Sequence, residues 1–202
     1  MITLSVTLIV IIITVAASLY AWKNPEIYQK WMMNPYRVNR NNEYYRFITS
    51  GFIHADYSHL FFNMFSLFFF AQLVENIMGI LNFLILYIVG IIISDLPTYF
   101  KYKNSPHYNS LGASGGVSSV IFASILLNPL NKIYIFFIPV GIPGFIYGLL
   151  FLGFCYYMSK RGGDNINHSA HFYGSVFGIV YTIIVLPWAL GNFIEQVKSW
   201  GQ

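Results

Sequence analysis

The apolar residues of this chain fall into six long runs, approximately Leu4 to Ala21, His59 to Glu75, Leu81 to Phe100, Ala113 to Leu130, Ile133 to Met158 and Ala170 to Leu190. About 20 apolar residues carry a helix across the ~30 Å hydrocarbon core of a bilayer, and the runs exceed the ~10 residues a barrel strand uses. The pattern therefore predicts an all-α bundle of six transmembrane helices. The second and third runs are parted only by the stretch from Glu75 to Gly79, and the fourth and fifth by Asn128, Pro129, Asn131 and Lys132. Pro139 and Pro143, with Gly141 and Gly144, interrupt the fifth run and predict a bend, because proline removes a helical donor that neighbouring groups must replace. The first run has no basic residues before it and no small-residue cleavage signature after it, so it is expected to be a retained anchor.

One connection differs from the others. Between Trp22 and Tyr57 the polar residues are interleaved with Tyr28, Trp31, Met32, Met33, Tyr36, Tyr44, Tyr45 and Phe47. Tyr and Trp favour the headgroup region, which predicts a first loop folded against the membrane; an interfacial anchor with no catalytic purpose is the alternative. No internal repeat, low-complexity tract or separate soluble domain is visible, so residues 1–202 read as a single transmembrane domain whose function lies in the bundle or at its rims.

Composition agrees with the pattern. Of 202 residues 56% are hydrophobic and 9% charged, where a soluble domain carries about 25% charged residues. Eleven Lys or Arg and seven Asp or Glu are too few to clothe a soluble globule of this size, and the lipid bilayer is the expected solvent. The net charge of +4 does not gather on one soluble face, so no nucleic-acid partner is expected. A single cysteine, Cys155, excludes an internal disulfide.

Against this background the polar residues inside the runs are informative. His59 and Asn63 are four apart and share one helical face, where lipid cannot satisfy them; they are function candidates or a structural hydrogen-bonded pair. His54 and Asp56 sit near the start of that helix, where they can instead cap it or tie down the loop, and their catalytic claim is the weaker one. Around Ser114 the sequence Leu111-Gly112-Ala113-Ser114-Gly115-Gly116 combines a hydroxyl, small neighbours and a helix start whose N–H groups can stabilise negative charge; membrane-helix packing alone also accounts for it. In the last run His171, Gly174 and Gly178 occupy one face, so a neighbouring backbone can approach and His171 can reach a serine on it, while His168 lies one turn earlier.

Together these features point to acyl transfer, which needs a nucleophile, a base and donors for the developing oxyanion. Ser114, His171 and the His59/Asn63 pair supply them. A His-Glu-x-x-His metal site and a phosphate-binding Gly-rich loop with lysine do not occur.

The order and spacing of His54-x4-His59-x3-Asn63-Met64, Gly112-Ala113-Ser114-Gly115 and Ala170-His171-x2-Gly174-x3-Gly178 resemble the rhomboid family of intramembrane serine proteases in its compact six-helix form, over nearly the whole chain. Softer resemblances are Tyr45-Arg46-Phe47-Ile48-Thr49 ahead of Phe52-Ile53-His54, and Glu75-x3-Gly79 followed by Phe83 and Tyr87. The resemblance implies Ser114 as nucleophile and His171 as general base in a dyad. It implies an oxyanion hole from His59, Asn63 and the Ser114 N–H, with His54 and Arg46 as structural or substrate-side groups. It also implies a first loop set laterally in the outer leaflet, transmembrane protein substrates admitted beside the fifth helix, a lid over Lys160 to Asn167, and no metal or organic cofactor.

Two departures accompany it. Some relatives stack an aromatic residue, one turn after the nucleophile, on the histidine; Ser118 stands there, leaving Phe172, Tyr173 or a hydrogen bond to orient His171. Tyr45 stands where the family often has Trp. The implied setting is a bacterial plasma membrane with both termini cytoplasmic. That orientation puts Lys23, Lys30, Arg37, Arg40, Arg46, Lys101, Lys103, Lys160 and Arg161 outside and leaves Lys132 and Lys198 inside, opposite to the positive-inside bias. The competing reading is a non-proteolytic rhomboid-like membrane binding or chaperone protein, which would recognise transmembrane partners without cutting them.

Overall fold

A computed structural model describes residues 5–134, 140–163 and 166–201. Leu4, Pro139 and residues 164 and 165 of the expected lid lie outside the described residues. The first helix, α1 (Val6–Lys23), starts on two caps: the Ser5 side chain accepts the Leu8 N–H, and the Glu75 carboxylate accepts from the Val6 and Thr7 N–H groups at 2.9 and 3.0 Å and from the Thr7 hydroxyl at 2.6 Å. A carboxylate suits the positive end of the helix dipole, and it pins the start of α1 to the middle of a helix distant in sequence.

The connection 22–57 is a packed helical insertion. It contains α2 (Pro25–Trp31), α3 (Pro35–Asn41), α4 (Arg46–Thr49) and a 3-10 turn over Ser50–Phe52. Proline opens α2 and α3, where its missing N–H costs nothing, and Asn42 closes α3 in the left-handed region with φ 58°. Arg46, buried to 1% exposure, ties these pieces together: its guanidinium donates to the Glu43 carboxylate at 2.5 Å and to the Gln29 and Met32 carbonyls at 3.0 and 2.6 Å. The Met33 backbone exchanges two hydrogen bonds with Ser110, so the insertion is anchored to the polar stretch preceding Ser114.

The second and third apolar runs form one 46-residue element, α5 (Tyr57–Tyr102), with helical geometry broken at Gly79, where φ is 77° and ψ 164°. Unbroken, it would reach about 69 Å at 1.5 Å per residue. Instead both of its limbs meet the chain at the start of α6, because the His59 ring lies against Gly112 and Ser94 lies against Gly115. The chain therefore doubles back at Gly79, a left-handed position that glycine takes without strain.

The next helix, α6 (Ser114–Leu127), is buried along almost its whole length. The fifth run differs from the expected single bent helix: a two-residue antiparallel strand pair, Lys132–Ile133 with Ile142–Pro143, comes first, and α7 (Gly144–Arg161) starts only after it, with Pro143 as the residue before the helix. Proline marks a boundary there. The sixth run splits at Pro187 into α8 (His168–Val185) and α9 (Trp188–Ser199), bent by 112°. Among the described residues α1 and α5 are long and apolar enough to cross a membrane, and α8 with α9 adds a third span if the bent pair is one. The core lies where α1, α5, α6 and α8 meet, around Leu67, Val74, Phe83, Leu86 and Val120.

Candidate active site

Helices α6 and α8 touch backbone to backbone. A Cβ on Gly174 would run into the Gly115 carbonyl, and one on Gly178 into the Ser119 carbonyl. Both contacts advance four residues on each helix, so the two run parallel, with the first turn of α6 beside the second turn of α8. Ser119 Oγ lies 2.9 Å from both the Gly115 and Gly174 carbonyls, bridging the seam. Ser114 precedes Gly115 and His171 is one turn before Gly174. The two residues thus stand at the same end of one tightly packed seam, each partly exposed. Gly115 meets Ser94 of α5 on its other side, and a Cβ at Gly116 would lie 2.7 Å from the Tyr87 carbonyl, so the start of α6 is wedged between two helices. Overpacking against fixed backbone destabilises by about 2 kcal/mol. Gly174→Ala is expected to lower stability by that order, measured as the melting temperature in detergent, and to lower any activity of Ser114 with it.

The loop before α6 is shaped by two histidines. Gly112 has φ 116°, and a Cβ there would come within 2.5 and 2.7 Å of His59 Cε1 and Nε2, so the glycine allows the His59 ring to lie directly against the chain leading into Ser114. Asp56 caps α5 by accepting the His59 N–H at 2.8 Å; its bonds from the Ser58 hydroxyl and that N–H hold the carboxyl below the usual carboxylate range. Asn63, buried to 7% exposure one turn on, donates one amide N–H to the His59 carbonyl at 2.9 Å.

His54 fastens the site. The Ala113 N–H donates to its Nε2 at 3.3 Å, which leaves the ring proton on Nδ1, 3.1 Å from Ser18 Oγ; that hydroxyl donates in turn to the Phe52 carbonyl at 3.2 Å. Trp22 Nε1 donates to the His54 carbonyl at 2.8 Å, and the His54 and His59 rings meet edge to face at 4.9 Å. Of the two readings of His54, the fastening one describes its contacts: it joins α1 to the residue before Ser114. Burial, and then the nearby His59, pushes its pKa down to about 3. The fold therefore holds His54 neutral while an unfolded chain protonates it below about pH 6.5. Stability from this group is complete above pH 6.5 and falls as pH drops towards 3, by about 2 kcal/mol between pH 6.5 and 5. The melting temperature is expected to fall more steeply over that interval in the wild type than in His54→Gln, which keeps an acceptor but does not titrate.

The His171 ring meets rings from both α7 and α8. Phe151 of α7 stacks on it at 6.1 Å and 24°, and His168 meets it edge-on at 6.0 Å. Phe172 contacts Tyr156 and Tyr173. The space one turn after Ser114 belongs to Ser118, which is buried. Gly112, Gly115, Gly174 and Gly178 all serve close approaches within this constellation, whereas Arg46 acts at a distance through the insertion that abuts Ser110.

The Rhomboid domain family matches residues 41–188, which include the Arg46, His54, His59, Asn63, Ser114 and His171 positions. The chain belongs to the rhomboid family. This rhomboid is 27% identical over 172 residues to RHOMBOID-like protein 12, mitochondrial, of Arabidopsis thaliana, a match covering 75% of this chain and 51% of that protein. The chain thus spans about half the length of the plant relative. It is 30% identical over 145 residues to YdcA of Bacillus subtilis, provisionally named a rhomboid protease, covering 71% and 68% of the two chains. Rhomboid protease GlpG of Haemophilus influenzae is 27% identical over 154 residues, covering 76% of each. Two of these relatives carry the name of rhomboid protease.

Proposed function

We propose that this rhomboid is a serine endopeptidase that hydrolyses a peptide bond in or near the transmembrane segment of other membrane proteins, through a dyad of Ser114 and His171. The observation that carries the reading is the α6–α8 seam, whose glycine contacts bring the ends bearing Ser114 and His171 together. In the proposed reaction His171 takes the Ser114 hydroxyl proton as Oγ attacks the scissile carbonyl, then delivers it to the leaving amine. An acyl-enzyme results, and water activated by the same imidazole hydrolyses it. Stacking on Phe151 helps hold the ring in place. The oxyanion is assigned to the Ser114 N–H, the Asn63 amide and His59. The first N–H groups of a helix have no intrahelical partner, and the Ala113 N–H is already spent on His54, which favours Ser114 as the backbone donor.

The same reading takes residues 1–202 as one domain crossing the bilayer six times. The two limbs of α5 count separately, α6 and α7 each count as a span, and the helical insertion 22–57 is embedded laterally in the outer leaflet. Substrate is admitted beside α7, under a lid formed by 160–167. The proposed location is a bacterial plasma membrane with both termini cytoplasmic; a C-terminal alkaline-phosphatase fusion that is active would contradict that orientation. The function itself is tested by incubating the purified chain in detergent with a panel of transmembrane peptides bearing small residues. Paired cleavage products by mass spectrometry are expected. Tight binding of those peptides with no products would instead identify a non-proteolytic rhomboid-like binding protein.

A further inference from the structure

One cluster of chemically capable side chains is not used by the proposed reaction as a whole. Cys155 of α7 and His168 and His171 of α8 each offer a donor atom, and these donors all lie within 4.8 Å of one another. Cys155 and His168 are buried and His171 partly so. The two histidines are three residues apart and share a face of α8; the cysteine comes from the adjoining helix. Phe154 packs edge-on against His168 at 5.4 Å and Phe151 stacks on His171, which gives both imidazoles an aromatic wall.

We propose that Cys155, His168 and His171 form a Zn2+ site whose occupation withdraws His171 from proton transfer and so inhibits the enzyme reversibly. A thiolate with two imidazoles is a donor set that suits zinc, and among the described residues the group contains no carboxylate of the kind that hard cations such as Mg2+ require. Tetrahedral coordination with Zn–S near 2.3 Å and Zn–N near 2.0–2.1 Å puts the donors about 3.3–3.6 Å apart. From separations of at most 4.8 Å, a closure of about 1 Å shared by three side chains suffices. On binding, the Cys155 thiol releases its proton to water, and zinc takes the His171 lone pair that would otherwise accept the Ser114 proton. Zinc and that proton compete for the single basic lone pair of the neutral imidazole. Zinc sites with three protein ligands take water or another ligand in the fourth position. The inhibitory consequence rests on the reading of His171 as the base; metal binding does not.

The test uses the full chain in detergent, stripped of metal. Zinc is titrated against a chromophoric chelator with Ser114→Ala protein, so that uptake is read independently of catalysis, and Co2+ is used as a spectroscopic probe. One zinc per chain is expected, together with a thiolate-to-cobalt charge-transfer band in the near ultraviolet. Loss of a ligand in Cys155→Ser or His168→Ala is expected to weaken uptake at least about tenfold. In the wild type one equivalent of zinc should suppress cleavage and a chelator restore it, while Cys155→Ser should cleave normally and resist zinc. Absence of stoichiometric uptake, equal affinity in Cys155→Ser, or a cobalt spectrum lacking the thiolate band overturns the site. The cobalt spectrum decides on wild-type protein even if a variant fails to fold. Uptake that depends on Cys155 in a metal-free wild type that never cleaves overturns the dyad and the inhibitory step but leaves the metal site standing; active enzyme that takes up no zinc overturns the metal site alone.

Discussion

Ser114→Ala is expected to lower cleavage of a transmembrane peptide by at least about 10³-fold, and His171→Ala by a similar factor. The first substitution removes the only atom that can attack the scissile carbonyl in the proposed reaction while keeping the Cβ at the start of α6. Ser114 is partly exposed and, among the described residues, its side chain has no hydrogen bond on which the packing depends, so the melting temperature should stay close to that of the wild type. His171→Ala removes the base and also the ring stacked on Phe151, so a small loss of stability is expected alongside the loss of rate. Because the two groups act as a unit, the double variant should be no slower than the worse single variant. Steady-state cleavage rates of the four proteins, with their melting temperatures, check this. Multiplicative losses would mean that the two residues act independently.

Asn63→Ala is expected to reduce kcat/KM about 10²-fold, close to 3 kcal/mol in the barrier, with the loss mainly in kcat. In the resting protein one amide N–H is donated to the His59 carbonyl in the preceding turn, which fixes the side chain against its own helix. The second N–H is the one assigned to the oxyanion, and it gains its value only as the carbonyl oxygen becomes charged in a site of low dielectric. The effect should therefore fall on turnover more than on substrate binding or thermal stability. Wild-type turnover in Asn63→Ala would remove the residue from the oxyanion hole and leave the Ser114 N–H and His59 to hold it.

The seam that organises the site was visible in the sequence, because Gly174 and Gly178 at helical spacing from His171 announce a close approach on one face, and Gly112 to Gly116 announce another. The turn at Gly79 was equally visible as the short polar break after Glu75. What was hidden depends on partners far apart in the chain. Nothing local pairs His54 with Ser18 and Ala113, 36 and 59 residues away, so its role in fastening α1 to the α6 entry stayed one of two readings. Phe151 lies in a continuous apolar run, where one ring looks like any other until α7 is placed against α8. Within Ile133 to Met158 the Pro and Gly residues signalled a break, but the apolar residues around them carry no periodicity to tell a bent helix from a strand pair followed by a later helix start. Cys155 likewise read only as an apolar-run residue, and it acquires chemical meaning from the two histidines of the neighbouring helix.

The central claim, that His171 activates Ser114 for attack, is tested most directly by covalent labelling with a fluorophosphonate, followed by peptide mass spectrometry of the full chain. One adduct per chain on Ser114 is predicted in the wild type, with labelling lost in Ser114→Ala and strongly slowed in His171→Ala. An adduct on another residue, no adduct in protein that cleaves peptides, or a labelling rate unchanged in His171→Ala would contradict it.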